Sequence, residues 1–334
     1  MRKSLYIISL GLLLFSCETQ TKAVNYKQPK PTPTNTATPI KSIKKPPVQT
    51  ERGEYFTVNL ADAAKNDNTI SYGSIVTANP SGYKVVKTNF PSLAQNFRQK
   101  YLIIHYTALD DEKSLRVLTE QSVSAHYLVN DLDDKEIYQL VDENKRAYHA
   151  GISAWRKDKN LNDNSIGIEI VNMGYKTDSL GKKIFVQFPE YQFKKIAALA
   201  KDIATRYMIA PTNILGHSDI APGRKQDPGP DFPWKRLYKE YELGMWYEDA
   251  VKQNFYDQVI NGDFATQVNT SPFIFKLQTM LSGFGYDLPL SGAMDDVTKK
   301  TIETFQYHFR PQNYDGVLDP ETWAILQALN QKYP

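Results

Sequence analysis

The sequence has one cysteine, Cys17, and only five histidines, and its longest apolar run is too short to cross a membrane as a helix. A single thiol can form neither an internal disulfide nor a thiolate zinc cage, so any metal site must use histidines and carboxylates. Charge of one sign is also missing, with 40 Lys and Arg against 37 Asp and Glu. Such a balance lacks the broad basic field that phosphate-dominated binding needs, and this argues against nucleic acid as a partner. Hydrophobic residues make up 41% and charged residues 23%, which excludes both a polytopic membrane protein and a fully disordered chain. A length of 334 residues suits two domains, or one with extensions.

Arg2 and Lys3 open the chain with positive charge, and Leu5 to Phe15 is an eleven-residue apolar run. As a helix this run reaches only about 16 Å against a hydrocarbon core of about 30 Å, so it reads as the core of a signal peptide. Leu14-Phe15-Ser16-Cys17 resembles a bacterial lipobox. That resemblance implies a signal peptide over residues 1–17 and acylation of Cys17 as the first mature residue. The mature side-chain charge is then 38 against 37, or +1. Acyl chains contribute about 0.8 kcal/mol per buried methylene and would anchor the protein to a bilayer without threading it through. Residues 18–52 carry Pro29, Pro31, Pro33, Pro39, Pro46 and Pro47 among Thr, Lys and Asn. This stretch cannot bury enough surface to offset its ordering entropy and reads as a disordered, extended tether.

The globular part begins near Gly53. Tyr101–Tyr106, Ser124–Val129, Glu136–Val141 and Ser165–Val171 read as strands, and Glu190–Met208 carries the three-and-four apolar spacing of an amphipathic helix. The alternation predicts an α/β fold, a mixed central sheet flanked by helices, over residues 53–262. Helices expected at Phe273–Gly285, Asp296–Phe309 and Pro320–Gln331 predict a small three-helix C-terminal domain, residues 270–334, with its own core and no apparent internal repeat.

Chemistry must come from few residues. His105 ends the strand YLIIH, and His217 follows Ile214-Leu215-Gly216 at the head of a loop dense in Pro, Gly and Asp. Strand-to-loop junctions are where an α/β scaffold places functional groups. Two imidazoles and one carboxylate leave the fourth position of a tetrahedral zinc open for water, the catalytic arrangement. Glu169 lies inside the apolar strand SIGIEIV, on the face shared with Gly167 and Val171. It reads either as a solvent-facing or ion-paired carboxylate or as a general base beside a metal, and spacing alone does not choose.

The segments IIHYT (103–107), SAHYLV (124–129), AYHAG (147–151), SIGIEIVN (165–172) and GHSDIAPGRKQDPGP (216–230) together resemble the type 2 N-acetylmuramoyl-L-alanine amidases, closest to their periplasmic lipoprotein branch. The resemblance implies a zinc hydrolase with a fold shared with peptidoglycan-recognition proteins, cutting the amide between N-acetylmuramic acid and L-alanine in peptidoglycan or muropeptides. It implies His105, His217 and Asp227 as ligands of one zinc ion, Glu169 as catalytic carboxylate and Lys225 as an oxyanion-stabilising cation. His126 and His149 fall in matching motifs as packing or substrate-binding residues. Leu277-Gln278 through Asp315-Gly316-Val317-Leu318-Asp319-Pro320-Glu321-Thr322-Trp323 resembles the three-helix peptidoglycan-binding module, which should add wall affinity without touching the bond-breaking step. The expected partners are peptidoglycan and, through the lipid, a membrane. The protein is expected in the periplasm as a monomer, on the outer rather than the inner membrane. The rival functions are a non-catalytic wall-binding lipoprotein and a zinc endopeptidase acting on stem peptides.

Overall fold

Branched apolar runs build the sheet on which everything else is placed. The structure, a computed structural model, describes residues 80–85, 94–179, 181 and 183–334. The signal peptide, Cys17 and the tether of residues 18–52 lie outside the described residues. In chain order the elements are β1 (Tyr101–Ile104), α1 (Asp111–Glu120), β2 (Tyr127–Val129), β3 (Tyr138–Gln139), β4 (Ala154–Trp155), β5 (Asp158–Lys159), β6 (Ser165–Ile170), β7 (Tyr175–Thr177) and β8 (Lys183–Phe185). They continue with α2 (Glu190–Tyr207), β9 (Ile214–Gly216), α3 (His217–Ile220), α4 (Trp234–Tyr241), α5 (Asp249–Ile260), α6 (Phe264–Gln267), α7 (Ser271–Phe284), α8 (Asp296–Phe309) and α9 (Pro320–Lys332). Among the described residues no helix is long and apolar enough to cross a membrane.

The central sheet has the order β3-β2-β6-β1-β9. β2, β6, β1 and β9 run parallel and β3 closes one edge antiparallel, so the sheet is mixed as expected. β1 lies between β6 and β9, with Ile104 opposite both Ile168 and Gly216. That register sets the ends of three parallel strands side by side, the usual place for ligands on an open α/β sheet. α2 buries Phe193, Ile196, Ala197, Ala200, Ile203 and Ala204, the stripe its spacing announces. It ends where Met208 turns left-handed at φ 52°.

The C-terminal helices fall close to their expected bounds, and α8 matches end to end. Two features differ from the sequence reading. First, a repeat is present. Gln278 accepts from Gly292 N and donates to Thr298 Oγ1, just as Gln306 accepts from Gly316 N and donates to Thr322 Oγ1. Asp295 and Asp319 then cap the two helices that follow. Unequal loop lengths between Gln and Gly hide this symmetry in the sequence. Second, the helices have no separate core. One buried apolar cluster runs from β1 and α2 through Trp155 to Phe284, Tyr286 and Phe305. Trp155 meets Tyr286 edge-on at 5.0 Å between ring centroids, and Arg156 N donates to Gly285 O. The described residues accordingly fall within one compact unit.

Candidate active site

β1 delivers His105 and β9 delivers His217 as the first residue beyond each strand. Gly216, at the end of β9, is a glycine because a Cβ there would lie 2.7 Å from Pro228. This close approach folds the 221–230 loop back over the strand end, and Ser218 N donates to Asp227 O to hold it there. Asp227 thereby meets the two imidazoles. His105 Nδ1, His217 Nδ1 and Asp227 Oδ2 lie 2.9–3.0 Å from one another, and all three residues are buried.

The other ring nitrogens fix what those three atoms carry. His217 Nε2 faces Ala150 O at 3.1 Å, so Nε2 holds the proton and Nδ1 a lone pair. For His105 the argument runs through a chain. Ser165 donates its hydroxyl proton to Leu161 O and so accepts from His149 Nε2. His149 Nδ1 is left to accept from His105 Nε2 at 2.9 Å, and His105 Nδ1 is bare. Burial, reinforced by His217, pushes the His105 imidazole down to about 4 and keeps it neutral. Burial raises the Asp227 carboxyl, but the neighbouring His217 and His105, when either carries a proton, outweigh it and lower it below the usual range. Two imidazole lone pairs, each ring fixed by a partner behind it, and an ionised carboxylate converging on one point fit a borderline divalent cation such as zinc. The residues present therefore suit the metal that the sequence implies.

Glu169 sits beside this point. Its Oε2 is buried with no hydrogen-bond partner, which removes the ion-pair reading. Burial, with Asp227 adding repulsion and Lys225 opposing it, pushes the carboxyl up to about 8. Glu169, Lys225, His149, His217 and Asp227 line one cleft of about 180 Å³. Tyr106, Thr107, Leu109 and Tyr148 complete its walls, together with Ser114, Val117 and Leu118 of α1.

The two remaining motif histidines separate. His149 lies in the cleft lining and behind His105, a supporting position that spacing gave no means to see. His126 is fully buried, accepts from Gly167 N at Nδ1 and uses Nε2 on Lys145 O. With both nitrogens committed to backbone it ties β6 to the loop that follows β3 and has none left for substrate. Gly167 explains itself in the same way, since a Cβ there would lie 2.5 Å from the His149 ring. Gly167→Ala should therefore displace His149 and destabilise the protein by about 1–3 kcal/mol, the usual cost of overpacking. A thermal unfolding midpoint lowered by several degrees is the expected reading, and an unchanged midpoint would mean that the ring can shift freely.

A mixed sheet that gathers two imidazoles and a carboxylate beside an acid with a buried, unpartnered oxygen forms a candidate site for one metal ion, the arrangement a metal-assisted hydrolase uses. The chain matches the N-acetylmuramoyl-L-alanine amidase family over residues 95–230 and the peptidoglycan binding domain family over 270–326. It is 44% identical over 245 residues to the N-acetylmuramoyl-L-alanine amidase AmiD of Escherichia coli, covering 71% of this chain and 84% of that one. Among solved structures, AmiD in complex with its substrate anhydro-N-acetylmuramic acid-L-Ala-D-γ-Glu-L-Lys has TM-score 0.66 and 40% identity, covering 76% of this chain and 97% of that one. AmpDh3 of Pseudomonas aeruginosa, in complex with an anhydromuramic pentapeptide, has TM-score 0.64 and 40% identity, covering 77% and 99%. The chain belongs to the N-acetylmuramoyl-L-alanine amidase family.

Proposed function

We propose that this protein is a zinc-dependent amidase that hydrolyses the bond between N-acetylmuramic acid and L-alanine in muropeptides or peptidoglycan. The observation that carries this reading is the convergence of His105, His217 and Asp227 next to the unpartnered Oε2 of Glu169. His105, His217 and Asp227 would hold a zinc ion, which would supply a Lewis acid to the water and to the scissile carbonyl. Glu169 then accepts the proton of the attacking water at Oε2, which has no hydrogen-bond partner among the described residues. The same carboxyl returns a proton to the alanine nitrogen, because an amine leaves readily only when protonated. Lys225, in the cleft wall, offers a fixed cation to the oxyanion of the tetrahedral intermediate. A lipid on Cys17 and a tether over residues 18–52 would hold this monomer on the periplasmic side of a membrane, the outer membrane by preference, within reach of the wall.

The test is mass analysis of products after incubation with an anhydromuramoyl tripeptide and with purified muropeptides, with and without a chelator. Release of free peptide beginning at L-alanine, abolished by chelation and restored by zinc, is expected. Fragments cut within the peptide would identify an endopeptidase instead. Undiminished hydrolysis by metal-free protein would end the zinc reading.

A further inference from the structure

Asp219 sits on the helical turn that begins with His217 and is almost completely buried. Its Oδ2 accepts from Gly216 N at 2.8 Å, closing the turn onto the end of β9. The remaining two partners come from the C-terminal helical region. Tyr286 donates its hydroxyl to Oδ1 at 2.9 Å, and His308 Nδ1 donates to Oδ2 at 2.7 Å.

His308 is costly for a residue that only fills space. Its ring stacks between Trp234 and Phe309 at centroid distances of 3.9 and 4.0 Å, which a phenylalanine would do as well. Its Nε2 is buried with no partner, and an orphaned polar atom of that kind is unfavourable. An imidazole is thus present for what Nδ1 does to Asp219. The same side of the loop is backed by Lys300 of α8, which lies where a Cβ on Gly223 would be.

We propose that the C-terminal helical module is a positioning element of the metal centre. Tyr286 and His308 fix Asp219, Asp219 fixes the Gly216–His217 turn, and that turn sets His217 Nδ1 and, through Ser218 N, the backbone of Asp227. The module therefore does more than add wall affinity. This inference rests on the zinc site proposed above. Groups that orient metal ligands from behind typically account for 10–100-fold in metal affinity or activity.

The experiment uses the full chain throughout and measures zinc affinity by chelator competition, kcat and KM on a small soluble muropeptide, and thermal unfolding. Tyr286→Phe and His308→Phe keep ring volume and remove one hydrogen bond each. Each is expected to weaken zinc about tenfold or more and to lower kcat with KM unchanged. His308→Asn, whose amide can replace Nδ1 as donor while losing the stack, is expected to recover zinc affinity even where stability falls. If Tyr286→Phe and His308→Phe bind zinc and turn over like the wild type, the proposal is overturned. It is equally overturned if His308→Asn loses as much zinc affinity as His308→Phe, since packing would then be the whole effect. Should His308→Phe not fold, Tyr286→Phe and His308→Asn decide the matter by the same readings. A wild-type chain that bound no zinc would take down the zinc site as well as this inference, whereas intact zinc binding in every variant removes this inference alone.

Discussion

Alanine in place of His217 should leave a folded protein that retains no zinc after dialysis and hydrolyses muropeptide at no more than background rate. The site has three donors and no spare among the described residues, because the only His, Asp and Glu group gathered closely enough to hold a metal is His105, His217 and Asp227. Without His217, the two survivors face each other at 3.0 Å. One imidazole and one carboxylate are too few donors to hold a zinc ion against water. Removing a supporting residue behind a ligand already costs 10–100-fold, and removal of a ligand is expected to exceed that. Zinc content by atomic emission and product formation by mass analysis are the measurements. His126→Ala is the control, since both ring nitrogens of His126 are hydrogen-bonded to backbone. It should lower the unfolding temperature yet keep zinc bound. Retention of one zinc by His217→Ala would show that the metal is held elsewhere.

Much of this site was legible because histidines are scarce and two of them end strands. What was not legible follows from how the sheet is ordered. Nothing in the spacing of residues 105 and 217 puts them together; that takes β1 lying between β6 and β9. Asp227 meets them only because Gly216 lets Pro228 come close. α1 escaped the reading because it buries just Ser114 and Leu118 and so shows no apolar stripe, although Asp110 caps it through Lys113 N. The two hairpins, with strands of two or three residues, are too short for alternation to register. The contact of Tyr286 and His308 with Asp219 joins residues 67 and 89 positions apart across a boundary that the change of pattern sets between residues 262 and 270. A change from strands to helices marks where a segment begins, and carries no information about whether its core is its own.

The alternation that put Gly167 and Glu169 on one face of β6 was correct, and its meaning emerges from the neighbours. That face carries the His149 ring and looks onto the group of His105, His217 and Asp227, where burial and the Asp227 charge push the carboxyl up and Lys225 opposes them. Glu169→Gln isolates what it does. The substitution keeps shape and removes the acid, so zinc content should be unchanged while kcat falls about 10²-fold to 10⁴-fold, the range for loss of a positioned general base. Stability should move the other way. Glu169 has a buried oxygen with no partner and is pushed up to about 8 without metal. A carboxyl raised above its unfolded value disfavours the folded state once pH exceeds the unfolded value of about 4.3. The amide removes that cost, and the metal-free variant should melt at or above the wild-type temperature near pH 7. A structural ion pair would give the opposite result, lost stability with activity largely kept. The pH profile supplies an independent sign. A base must be deprotonated to act, so kcat/KM should rise with pH as Glu169 ionises, at a pH below 8 because a bound cation pulls the carboxyl down. That rising limb should vanish in Glu169→Gln. If the variant turns over at close to the wild-type rate, or keeps the limb at full height, the proton is being taken by another group and Glu169 is not the base.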